Sequence, residues 1–260
     1  MDFSTSEEHA ALRKAVGAIA DSFGSGYYTA HAAARTPTGE LWRALGEHGY
    51  VGINLPEAYG GGGAGMVELA MVCEETAAHG TPLLLLLVSS AICGEVLSSF
   101  GSEEQKALWL PGLAAGTAKM VFAITEPDAG SNTLRLATTA RRDGTDWVIR
   151  GQKYYISGVD DAEAVLVVAR TGTDESGAAR LSLFIVDTDA LGLERQPLPV
   201  SVELPERQFT LHFDDVRVGA ERLVGTEGDG FRQVFQGLNP ERITGAAVCV
   251  GIGRYALERA

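Results

Sequence analysis

The chain has 260 residues, a formal net charge of −13 and 45% hydrophobic side chains. That is enough apolar material for a core in one large domain or two modest ones, which excludes disorder as the default. The negative balance argues against nucleic acid and against an anionic membrane surface, though a local basic cluster can still bind an anion on an acidic protein.

Residues 1–118 read as an all-helical first domain. Residues 1–8 carry neither a basic segment nor an apolar one, so no signal peptide is expected. Ser4 or Ser6 can cap a helix running to Phe23, in which Leu12, Val16, Ile19 and Phe23 recur at three and four residues. A second helix is predicted over 39–49. The Pro- and Gly-rich loop over 56–65 has no strand before it and no Lys-Ser/Thr after it, so it reads as a structural turn rather than a phosphate cradle. Further helices are expected over 66–78, 82–100, with Pro82 at its first position, and 102–115, capped by Ser102. The apolar run 82–88 is too short to span a bilayer and reads as a buried helix. Cys73, Cys93 and Cys249 are scattered and lack metal-ligand spacing. They read as reduced core residues of a cytoplasmic protein with no metal.

Near Lys119 the pattern turns from helical to alternating. Strands are predicted over 120–125, 134–141, 147–157, 164–170, 181–187 and 208–218, with a hairpin turn at 142–145 and a polar loop at 171–180. Short strands without intervening helices point to an antiparallel barrel or sandwich over 119–229. Helical character returns at 230–236, where Gly237 can end the segment. Asn239 then caps a last helix with Pro240 at its first position. The fold class is therefore α+β, helices then a β domain then helix.

The stretch 120–132 has local chemistry of its own. An apolar run stops at Thr125-Glu126-Pro127, where Pro127 holds Glu126 out of the helical region. Asp128-Ala129-Gly130-Ser131-Asn132 follows, with Gly130 free to take positive φ. Such an end suits either an ordinary loop or amides and hydroxyls that hold a planar heterocycle or a phosphate.

Phe122-Ala123-Ile124-Thr125-Glu126-Pro127-Asp128-Ala129-Gly130-Ser131-Asn132 resembles the flavin-binding segment of the acyl-CoA dehydrogenases. Three further blocks resemble that family in the same order: Gly151-Gln152-Lys153-Tyr154-Tyr155-Ile156-Ser157-Gly158, Phe213-Asp214-Asp215-Val216-Arg217-Val218, and Asn239-Pro240-Glu241-Arg242. The resemblance implies FAD as cofactor, held by Phe122, Ile124, Thr125, Gly130, Ser131, Tyr155, Ile156 and Ser157. Tyr155 would stack beside the isoalloxazine, and the Ser157 hydroxyl would reach N5, where a donor stabilises the charge that develops on hydride transfer. Ser131, Asn239 and Arg242 would contact an acyl-CoA or carrier-protein thioester. Glu241 matches the position at which one subset of the family carries its catalytic base. A residue-level alternative is that Glu241 simply favours the first turn of a helix. Tyr155 and Ser157 likewise suit an ordinary alternating strand.

The same resemblance implies an electron-transfer flavoprotein as electron acceptor, a homodimer or homotetramer when complete, and residues 230–260 as the start of a C-terminal helical domain that is otherwise missing. A non-catalytic assembly fragment, an acyl-CoA oxidase or a flavin monooxygenase are alternatives on the same scaffold. The chain departs from the family pattern at Tyr155, usually Trp, at Ser157, usually Thr, and at Asn132, usually Asp. Residues 203–208 depart from it as well.

Overall fold

A computed structural model describes residues 5–175 and 177–260. The first helix, α1 (Glu7–Ala34), is capped by Ser6, whose side chain accepts from the His9 amide. Ser4, the other candidate cap, lies outside the described residues. The helical dihedrals break at Gly24 (φ 71°, ψ 168°), one residue past the predicted end, before a second helical stretch carries on to Ala34. Helices α2 (Gly39–Glu47) and α3 (Met66–Ala78) follow as the apolar spacing predicts. The predicted helix over 82–100 is two elements, a π-helix over Leu86–Gly94 and α4 (Glu95–Phe100). Pro82 stands before the first helical residue, Leu84, rather than inside the helix. Ser102 caps α5 (Glu103–Ala115) in a reciprocal box with Gln105.

The strands are β1 (Met120–Ala123), β2 (Thr139–Asp143), β3 (Asp146–Ser157), β4 (Ala164–Thr173), β5 (Ala179–Asp187), β6 (Leu193–Leu198), β7 (Gln208–Val218) and β8 (Leu223–Val224). They form a single sheet in the order β6-β7-β3-β2-β4-β5-β8, with β1 added alongside β4. Most pairs are antiparallel, but β1 and β2 both run parallel to β4. Successive residues of β4 enter two different hydrophobic clusters: Val165, Val167 and Ala169 face one, Ala164, Leu166 and Val168 the other. Both faces of the sheet are therefore covered. A strand buried on both faces loses the polar alternation that marks a half-exposed one. The predicted loop over 171–180 is shorter than expected, because β4 and β5 extend to Thr173 and Ala179 and pair there.

The two parallel pairings have a consequence for the stretch between them. β1 pairs with the first half of β4 and β2 only reaches it at Thr139 opposite Arg170. Residues 124–138 thus leave the sheet edge and return to it. This excursion begins with the predicted loop chemistry, although the strand stops at Ala123 instead of Thr125 and residues 133–135 form a 3-10 turn instead of strand. Two short stretches that turn out to pair, β6 and β8, carry no alternation that predicts them.

The last helix, α6 (Gly230–Leu257), is continuous through both Gly237 and Pro240. Gly237 therefore does not end a helix, and Asn239 does not cap one. The reason is packing. A Cβ on Gly237 would lie 2.7 Å from Ile92 Cγ2 and 3.0 Å from the Ile92 carbonyl, and one on Gly251 would lie 2.2 Å from the Glu74 carbonyl. Gly230, Gly237, Thr244 and Gly251 are all buried and spaced by seven residues, so one stripe of α6 beds against β5, the π-helix and α3 in turn. An Arg13 and Arg254 pair clasping Glu74 and Glu75 ties α1, α3 and α6 together. Among the described residues no helix is long and apolar enough to cross a membrane. The cysteines are free, as expected; Cys73 and Cys93 are buried, whereas Cys249 is exposed on α6 and is not a core residue.

The segment that departs from the family pattern buries a carboxylate. Glu206 is only 8% exposed, and its Oε2 has no hydrogen-bond partner. It lies within electrostatic reach of Lys119, Asp161 and Tyr28. Burial raises its pKa to about 7.

Two outcomes follow. Gly251→Ala should lower the unfolding free energy by ~1–3 kcal/mol through overpacking, while Gly253→Ala, which meets open space in the same helix, should raise it by ~0.5–1 kcal/mol; urea unfolding of both variants checks this. Between the ordinary value of 4.5 and about 7 the folded chain keeps a proton on Glu206 that the unfolded chain has lost, so this group makes stability fall as pH rises through that window. Glu206→Gln should remove the fall, so that its stability relative to the parent chain improves by ~2–3 kcal/mol between pH 4 and pH 8 in the same assay.

Candidate active site

The excursion at 124–138 is held by one buried ion pair. Lys153, on β3, is fully buried, and its Nζ donates to the Ile124 carbonyl at 2.9 Å and to Glu126 Oε1 at 2.8 Å. Glu126 in turn accepts the amides of Ala137 (2.6 Å) and Thr138 (3.0 Å), so one carboxylate closes the gap left between β1 and β2. Burial works to raise the Glu126 pKa, but the Lys153 charge and these amides hold it below the usual carboxylate range. Burial also lowers Lys153 to about 8, against the pull of Glu126. At neutral pH both groups are charged. The turn itself is Pro127-Asp128, closed by paired Glu126 and Ala129 backbone bonds. Gly130 is not among the residues with positive φ, so the expected conformational role of this glycine is absent.

The other half of the arrangement is a bulge in β3. The pairing with β7 slips between Lys153 and Ile156, so that Tyr154 and Tyr155 together oppose one residue. Tyr155 takes φ 58°, a left-handed conformation that costs a tyrosine ~1–2 kcal/mol, and the residue is 55% exposed. The Tyr154 amide donates to the Thr125 carbonyl at 2.8 Å, which pins the bulge to the loop. Two residues on, Ser157 Oγ lies 2.9 Å from Gln208 Nε2 and 3.0 Å from Gln208 Oε1, its partner across the β3–β7 ladder. When the amide donates to this oxygen, the hydroxyl proton is left to point elsewhere.

A cleft of about 510 Å³ opens between these elements and α6. Phe122, Ile124, Thr125, Gly130, Ser131, Tyr155, Ile156 and Ser157, named from the sequence as a set, all line it, as do Glu241 and Arg242. Asn239 does not line it; its Oδ1 accepts from Arg242 Nη1 at 2.8 Å. Further lining residues come from the π-helix and its approach, Leu84, Val88 and Ile92, and from α6, Phe231, Val234 and Phe235. Their side chains recur every three or four residues, so in the sequence they are indistinguishable from core. Burial raises the Glu241 pKa, opposed by the neighbouring Arg242 charge. Among the described residues no cluster of three or more His, Cys, Asp or Glu could hold a metal ion.

A helical layer and a mixed sheet thus enclose a cleft with hydroxyls and the exposed Tyr155 on the sheet side and one carboxyl on the helix side. The family models for the acyl-CoA dehydrogenase N-terminal domain and middle domain match residues 6–117 and 121–216. The chain belongs to the acyl-CoA dehydrogenase family. It is 54% identical over 258 residues to the acyl-CoA dehydrogenase FadE12 of Mycobacterium tuberculosis, covering 99% of this chain and 66% of that protein. Among solved structures it is similar to a glutaryl-CoA dehydrogenase from Mycobacterium smegmatis in complex with FADH2 (TM-score 0.89, 29% identity, 98% of this chain and 64% of that one). It is also similar to the butyryl-CoA dehydrogenase of Megasphaera elsdenii (TM-score 0.90, 27% identity, 99% and 69%). The chain thus spans about two thirds of the length of these relatives.

The strained and exposed Tyr155 should contribute little to stability. Tyr155→Gly is expected to change the unfolding free energy by less than ~1 kcal/mol, whereas Ile156→Ala, which empties a site only 2% exposed, should cost ~2–5 kcal/mol. Chemical denaturation of the two variants measures the contrast.

Proposed function

We propose that this chain carries the flavin and thioester sites of an FAD-dependent acyl-CoA dehydrogenase, with Glu241 as the base. The cofactor is FAD. The residues present suit it: a cleft lined by apolar side chains and hydroxyls, an exposed tyrosine at Tyr155 and a Ser157 hydroxyl that Gln208 can leave free to donate. Ile124, Thr125, Gly130 and Ser131 would hold it along the excursion, with Phe122, Tyr155, Ile156 and Ser157 beside the ring. When bound, FAD supplies an acceptor for the hydride removed from the β-carbon of the acyl group.

Glu241 would take the α-proton of the thioester, leaving a trans-2-enoyl thioester. The observation that carries this role is a carboxyl raised in pKa by an apolar wall, in the same cleft as the Thr125 and Ser157 hydroxyls. A carboxyl shifted toward working pH is a better match for a weakly acidic C–H than an ordinary one. Ser131 and Arg242, with Asn239 behind the arginine, would contact the thioester or its carrier. Transfer of electrons to an electron-transfer flavoprotein, a cytoplasmic setting and assembly as a homodimer or homotetramer belong to the same reading and rest on family resemblance alone.

Anaerobic titration of the FAD-loaded protein with saturated acyl-CoA thioesters tests it, since reduction bleaches the flavin band. Bleaching should fit a rate that rises with pH as Glu241 loses its proton. Glu241→Gln should keep FAD bound but slow bleaching by ~10²–10⁴-fold. Bleaching at the unaltered rate in that variant would place the base elsewhere.

A further inference from the structure

Among the described residues Lys153 is the one lysine whose side chain is fully buried, and no step proposed above uses it. Taking an ammonium and a carboxylate out of water costs several kcal/mol per ion, and apolar residues of similar volume often fill such a place at no loss of stability. A charge kept there clamps the excursion and is also a candidate for a second task. Its surroundings suggest which. Nζ bonds the Ile124 carbonyl at 2.9 Å, and that carbonyl belongs to the peptide whose other end is the Thr125 amide. Both Ile124 and Thr125 line the cleft, and the next carbonyl, that of Thr125, accepts from Tyr154 beside the strained Tyr155. A charged donor on a carbonyl polarises its peptide and makes the amide at the far end a stronger donor.

We propose that Lys153 is a positioning residue of the flavin site, whose ammonium fixes and polarises the Ile124–Thr125 peptide so that this edge of the cleft binds the electron-rich edge of the isoalloxazine. This inference rests on the flavin reading above. The ion pair is more than a fold clamp in this account: its charge is felt at the cleft wall through one peptide unit. Glu126 is the charged group that faces Lys153, from the loop packed against β3, and it stays ionised well below the range in which the lysine titrates.

The test is FAD affinity, followed by quenching of flavin fluorescence, with circular dichroism as a check on folding. In the parent chain the affinity should weaken by ~3–10-fold between pH 7 and pH 9, as Lys153 loses its proton near 8, with no change in the dichroism spectrum. Lys153→Met should bind FAD at least ~10-fold more weakly at pH 7 and lose the pH dependence. A flat pH profile in the folded parent chain overturns the proposal, as does a folded Lys153→Met that binds FAD like the parent. If Lys153→Met does not fold, the parent chain's pH profile decides alone. A parent chain that binds no FAD at any pH overturns instead the flavin reading on which the proposal stands.

Discussion

The contact between Lys153 and Glu126 does work that neither the sheet nor the helices can do. Two strands run parallel to β4 along one edge, one after the other, and the chain between them has no ladder to satisfy its amides. An unpaired buried amide costs ~1–3 kcal/mol, and that of buried Thr138 points, with the neighbouring Ala137 amide, at a single carboxylate. That carboxylate needs a counter-charge in so dry a place, and Lys153 supplies it from β3 while also taking the Ile124 carbonyl. The same lysine lies at the start of the bulge that turns Tyr155 outward. Removing either partner would leave a buried charge alone, which is far more disruptive than losing both. The loop and the bulge are thus two consequences of one pair.

Electrostatics on the other side of the cleft follow a different logic. Glu241 has a cationic neighbour in Arg242, and left to itself that proximity would hold the carboxyl low. Arg242 is drawn elsewhere, toward Asn239 Oδ1 and over the Phe235 ring at 5.8 Å. Desolvation by the apolar wall then prevails, and the carboxyl moves up. A carboxylate clamped by partners, as at Glu126, and one raised by burial, as at Glu241, show how surroundings move the same group in opposite directions.

Much of this was legible in the sequence because short-range rules wrote it there. Ser6 and Ser102 cap where caps are expected, α3 spans its predicted residues, and the hairpin closes with Asp143 opposite Asp146 around Gly144-Thr145. The cleft-lining set named on the sheet side came from family resemblance, since Tyr155 and Ser157 follow no pattern that separates them from a plain strand. Long-range effects were not legible. Lys153 and Glu126 lie 27 residues apart and carry no local signal of pairing. The parallel pairings depend on which strand β4 meets. Gly237 reads locally as a helix stop and is instead a point of close approach to Ile92. Asn239-Pro240 reads as a cap and first turn, yet tertiary packing carries the helix straight through.

The glycine stripe of α6 sets a limit on the cleft. At Gly237 and Gly251 the helix meets its neighbours with no side chain between, so its seat has no rotamer to change and no stem to bend. The floor beneath Glu241 is therefore a fixed gauge, whereas the opposite lip, with exposed Tyr155, and the rim at Arg242 can adjust. A bulkier occupant of the cleft would gain room by rearranging the rim, and only a substitution within the stripe would change the gauge itself.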